Sequence, residues 1–119
     1  MEWIKRGLIF NPLEFEWDRD FIGFAQSPQA LVFPEYVRIF FSIRLRDDLG
    51  KFISHIRYVD FSRDMKSVIG YSRHEVLGPG KLGCFDEHGV FPLNVLQVGD
   101  QMYGYTNGWA RRVSVSVET

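Results

Sequence analysis

The densest cluster of titratable side chains in this chain is Asp86-Glu87-His88. It lies within Lys81–Pro92, a stretch that also carries the single cysteine, Cys84, two glycines and a proline. Any chemistry is expected here, and Asp86 and Glu87 are the candidate catalytic carboxylates. A solvated loop is the competing reading, because three consecutive polar residues cannot share one face of a strand. Cys84 and His88 could form a nucleophile pair, but free cysteine is also among the most buried residue types. The two lack a second pair of metal ligands, so neither a metal nor a cofactor is expected.

The elements that must position this stretch read as strands. Trp3–Phe10 is a possible short strand, closed by the turn signal Asn11-Pro12. Leu13–Phe24 sets aromatic residues against acids with a period of two and reads as a partly covered segment. Ala25–Gln29 is expected to bend, and Ala30–Phe33 to form a short buried strand. Tyr36–Arg46 is the clearest strand, with Val37, Ile39, Phe41, Ile43 and Leu45 on one face. Asp47–Gly50 reads as a hairpin loop and Lys51–Phe61 as the returning strand. Ser62–Lys66 is a turn, Ser67–Val76 a weaker strand, and Gly78-Pro-Gly80 a break. Leu93–Val98 and Gln101–Thr106 are strands around the turn Gly99-Asp100. Asn107-Gly108 carries a hairpin signal, and Arg112–Thr119 alternates strictly. The expected class is all-β, an antiparallel meander in one domain, residues 1–119.

Composition narrows the function classes. In 119 residues, 45% are hydrophobic and 16% aromatic, ample for a core. A net charge of −1 gives no case for nucleic acid. The basic residues Arg38, Arg44 and Arg46 are offset in sequence by Asp47 and Asp48. No run approaches the roughly 20 apolar residues of a membrane span. The N-terminus lacks the apolar core of a signal peptide, and one cysteine gives no intrachain disulfide. A soluble, cytoplasmic protein is expected.

The chain also resembles itself. Ser27–Ser42 aligns with Phe91–Thr106: each has a proline, a short apolar strand, a tight turn and a strand of alternating bulky residues. Successive hairpins of this kind build propeller blades, which gives approximate blade-like units at 25–77 and 84–119.

Phe24-Ala-Gln-Ser-Pro-Gln29, Val37–Ser42, Ser54–Phe61, Leu77–Pro92 and Arg111–Glu118 resemble glycosidase-like five-bladed propellers. These form the arabinanase, levansucrase and invertase superfamily, which includes glycosyl hydrolase family 43. The resemblance covers nearly the whole chain but only about two of five blades. It implies a carbohydrate site at a propeller mouth, lined by carboxylates from different blades. Hydrolysis needs two carboxyls about 5 to 10 Å apart. Here the blade-one position falls at Gln26-Ser27-Pro28, where no carboxylate stands, and a third blade is absent. The resemblance therefore implies a truncated glycosidase-like fragment without turnover of its own. Its alternative is a carbohydrate-binding or self-assembling scaffold module. Sugar binding is expected through Gln26, Arg44, Asp86 and His88, with Trp109 for stacking, although each is also an ordinary loop or strand-face residue.

A homo-oligomer is expected, with a dimer first and a ring of copies second. Isolated blades would leave the Val37/Ile39/Phe41/Ile43 and Val113/Val115/Val117 faces open. The regular strand Arg112–Thr119 would leave an unpaired edge.

Overall fold

The computed structural model describes residues 1–17 and 20–111. Among them the chain is all-β, with six strands in one mixed sheet: β1 Phe21–Val32, β2 Tyr36–Arg46, β3 Phe52–Ser62, β4 Val68–Tyr71, β5 Gly89–Val98 and β6 Gln101–Trp109. The spatial order is β1-β2-β3-β5-β6, with β4 paired to β3.

The best-patterned strand in the sequence is the centre of the sheet. β2 pairs with β3 without a slip from Tyr36↔Ser62 to Arg46↔Phe52. Its odd positions Phe41, Ile43 and Leu45 join Val59 and Phe61 in one buried cluster. Its even position Phe40 joins Ile56, Val90 and Leu93 in a second cluster on the opposite face. β2 is thus covered on both sides.

The cover on the first face comes from the N-terminal segment, which has no strand between Trp3 and Phe10. Pro12–Glu14 makes a short 3-10 turn, and the Asn11 side chain accepts the Leu13 N–H at 3.1 Å. This turn sends Phe10, Phe15 and Trp17 down onto the sheet. Phe10 and Trp17 sit 5.4 and 5.7 Å, centroid to centroid, from Phe41. The Trp17 indole N–H donates to the Pro12 carbonyl at 2.8 Å, which satisfies its polar edge. The period-two pattern in Leu13–Phe24 therefore marks an aromatic clasp, with a strand only from Phe21. The clasp also corrects the expectation of an open Val37/Ile39/Phe41/Ile43 face, since Phe41 and Ile43 are 2% and 0% exposed.

Ala25–Gln29 is not a bend that ends a strand. β1 runs through it, but its register with β2 shifts three times between Phe21 and Gln29. Phe24 and Ser27 have φ of 72° and 52°. β1 is an edge strand, where Pro28 costs no ladder hydrogen bond and bulges are tolerated. The turn chemistry in the sequence was spent on bulges.

The antiparallel meander is broken once. β5 meets β3 in parallel, through the single pair Ser54↔Gly89. A parallel neighbour needs a crossover, and β4 with the segment after it supplies one. That segment tracks the far edge of β3, with Ser72 bonded to Tyr58 and Leu77 to Ile56. β5 and β6 then form a hairpin about Gly99-Asp100. Asn107-Gly108 lies inside β6 rather than at a hairpin. A Cβ on Gly108 would meet the Asp86 Cβ at 2.5 Å and the Phe85 ring at 2.6 Å, so this glycine permits a close approach. The expected strand Arg112–Thr119 lies outside the described residues.

If the aromatic clasp carries the first core face, Trp17→Ala should lower unfolding free energy by about 3 kcal/mol. Thermal and urea denaturation measure this. A loss below about 0.5 kcal/mol would show the clasp to be dispensable.

Candidate functional site

A cavity of about 570 Å³ opens where β1, β2, the β2–β3 loop and the end of β6 converge. Gln26 and Phe24 come from β1, Arg44 and Arg46 from β2, Gly50, Lys51 and Phe52 from the loop and the start of β3, and Trp109 and Arg111 from the chain end of β6. Period two places Arg44 and Arg46 on one side of β2. The bulges of β1 turn Gln26 to meet them.

Arg44 is the organising side chain. Its Nε donates to the Gln26 Oε1 at 3.0 Å. Its guanidinium lies 5.2 Å from the Phe91 ring centroid and 5.6 Å from that of Trp109. The Trp109 indole donates to the Ser54 hydroxyl at 2.8 Å, and that hydroxyl donates onward to the Val90 carbonyl. Gly89 lies against this pair. A Cβ there would run into the Ser54 hydroxyl, sit 2.5 Å from the indole nitrogen and 2.9 Å from the Ser54 backbone nitrogen, and its φ of 155° is one that side chains rarely adopt.

His88 stands beside Trp109, with ring centroids 5.9 Å apart. Its Nδ1 accepts the Arg111 backbone N–H at 3.0 Å, which leaves Nε2 to carry the proton, 3.8 Å from Glu87 Oε1. The Arg111 guanidinium bonds Asp47 at 2.8 Å and the Phe52 carbonyl at 2.6 Å. The Asp47 carboxyl is held below its ordinary pKa, first by the Lys51 backbone N–H and also by Arg111. Asp47 therefore stays ionised, and the Arg111 clamp intact, down to acid pH.

The structure brings together three expected site residues, Gln26, Arg44 and Trp109, in one cavity wall, with His88 behind Trp109. It does not bring in the carboxylates. Asp86 lies against Gly80 and Gly108, and Glu87 accepts the Gly83 N–H at 3.2 Å. The turn through Cys84–His88 carries Asp86 to Gly80 and Gly108, while Glu87 and His88 stay near one another, in keeping with the loop reading of this stretch. No carboxylate lines the cavity among the described residues. Cys84 is exposed, and no group of three potential metal ligands occurs among the described residues.

Sequence reasoning missed Arg46, Lys51, Phe24, Phe52 and Arg111. The signal for Arg46 was present in its two-residue spacing from Arg44. Asp47 and Asp48, close in sequence, mask that signal. In the structure Asp47 serves Arg111 instead, and Arg38 is matched by a two-bond pair with Asp60 at 2.8 and 2.9 Å. That pair raises the Arg38 pKa.

Gly89→Ala should cost about 1–3 kcal/mol, because backbone as well as side chain must yield. It should also displace Trp109, which near-ultraviolet circular dichroism reads. An alanine variant with unchanged melting and spectrum would contradict the close approach at Gly89.

No family model and no solved structure matches the chain. Two curated relatives do: the uncharacterized proteins MT1551 and Rv1502, from two strains of Mycobacterium tuberculosis, each 33% identical over 124 residues. The alignment takes in 97% of this chain, and the chain spans 37% of the length of each relative.

Proposed function

We propose that this chain is a carbohydrate-binding module, a two-blade portion of a glycosidase-like propeller, without hydrolytic turnover of its own. The observation that carries the reading is the cavity wall itself. Gln26 and Arg44 offer polar groups beside aromatic rings, the combination that grips a sugar by its hydroxyls and its apolar face.

Phe24 adds weight. It is 54% exposed, lines the cavity, and is held at φ 72°, a genuine outlier for a bulky residue. Strain of this kind persists where a side chain must be aimed. Phe52, 47% exposed, supplies a second ring in the same cavity.

Calorimetry against a panel of oligosaccharides tests the reading. Binding is expected at micromolar to millimolar affinity, with no release from aryl glycosides of arabinose, xylose, fructose or mannose. Phe24→Gly separates site from scaffold: stability should hold or rise by up to about 1 kcal/mol as backbone strain is relieved, while binding weakens. Retention of full affinity by that variant, or turnover lost in Asp86→Ala, would reject the assignment.

The same reading includes a homo-oligomer, a dimer first. No helix among the described residues is long and apolar enough to cross a membrane; the compartment proposed is the cytoplasm, in keeping with an exposed thiol. The apolar surface that supports self-association is one face of the β5–β6 hairpin, where Leu96, Val98, Tyr103 and Tyr105 are all exposed. Light scattering should give about twice the 13.9 kDa chain mass. A monomer at micromolar concentration would refute assembly, and an unchanged dimer in Tyr105→Asp would refute this face.

A further inference from the structure

We infer that the cavity selects sugars carrying an acidic group, a carboxylate or a sulfate ester. The inference rests on the carbohydrate reading of that cavity and names its ligand class.

Four cationic side chains line the cavity: Arg44, Arg46, Lys51 and Arg111. The chain as a whole has a net charge of −1, so this is a local concentration of charge. Among the described residues only Arg111 of these four has a carboxylate partner, Asp47. Arg46 is exposed; its Nη1 bonds the Gly50 carbonyl at 2.8 Å and its guanidinium lies over Phe52 at 5.0 Å. No carboxylate bonds Arg44 or Arg46 among the described residues.

Arg44 has the geometry of an anion receptor. Gln26 occupies its Nε, and Phe91 and Trp109 flank its plane. Its two terminal nitrogens make no hydrogen bond among the described residues, so the end of the fork is open. Two parallel N–H groups match two oxygens of a carboxylate or sulfate. Because Nε can only donate, the Gln26 amide oxygen must face it. The Gln26 NH₂ is then left as a donor, suited to an adjacent sugar hydroxyl. Aromatic walls lower the local dielectric and strengthen such a pair. A neutral sugar would leave Arg44 and Arg46 without counter-charge, whereas an acidic sugar satisfies both rings and cations at once.

The test is calorimetry of the intact chain with trigalacturonate, its methyl ester, a sulfated trisaccharide and its unsulfated parent. Acidic forms should bind at least about tenfold more tightly than their neutral counterparts. The advantage should shrink with added salt. The carboxylate and sulfate arms identify which acid is preferred. Arg44→Gln should reduce the acidic ligand to the affinity of the neutral one, with circular dichroism confirming the fold. Lys51→Gln, at an exposed loop position, should lose part of the advantage without touching the core. Equal binding of acidic and neutral forms would overturn the acid preference and leave the carbohydrate site standing. Acetate or inorganic sulfate binding as well as the acidic sugars would also overturn it, as would an acid advantage intact in both variants. No binding of any oligosaccharide would overturn both readings.

Discussion

The contact on which the rest of this structure depends is Ser54 against Gly89. It is the one parallel pair joining the β5–β6 hairpin to the sheet. The indole of Trp109 bonds the Ser54 hydroxyl at 2.8 Å through the space that a side chain at residue 89 would fill. A buried hydroxyl with both a donor and an acceptor partner is a stable arrangement, and leaving either partner unmatched costs free energy. Because this junction is so narrow, it fixes the angle at which the hairpin leaves β3. That angle brings Val90 and Leu93 over Phe40 and Ile56, and it carries Trp109 and Arg111 to the mouth of the cavity.

The second constraint is the burial of β2 on both faces. A strand in an open sheet normally has one wet side. Here the β5–β6 hairpin covers one face and the aromatic clasp of Phe10, Phe15 and Trp17 approaches the other. Two-sided cover makes β2 and its unbroken pairing with β3 a rigid base. Arg44 is mounted on that base, while Gln26 and Phe24 come from a bulged edge strand. A stiff strand bearing the cation and an irregular strand aiming the polar and aromatic partners is a common division of labour in binding sites.

Charge pairing completes the site. Two arginine–aspartate pairs among the described residues leave Arg44 aside: Asp60 takes Arg38, and Asp47 takes Arg111. The result is a cavity in which Arg44 and Arg46 have no carboxylate partner among the described residues. Such an arrangement costs little when the guanidiniums remain partly wet, and it is available to an anionic ligand.

Much of the fold was legible in the sequence because side-chain alternation is a local property. Tyr36–Arg46 carries its period of two strongly enough that both its bounds and its faces follow from the residues alone. The turns at Asp47–Gly50 and Gly99-Asp100 follow from local backbone preference. Gln26, Arg44 and Trp109 could be named as binding residues, but not seen to meet, since Arg44 and Trp109 are far apart in sequence. Tertiary structure decided what the punctuation meant. The proline and polar residues at 25–29 became bulges because β1 is an edge, and Gly108 became a contact point because Phe85 and Asp86 pack on it. The acidic residues were the hardest to place. Asp86 and Glu87 are neighbours in sequence, yet a tight turn separates their side chains, and Asp47 chose Arg111 over the adjacent Arg46. Sequence proximity sets neither the direction of a side chain in a turn nor the partner of a charge; those depend on which backbone arrives from elsewhere in the chain.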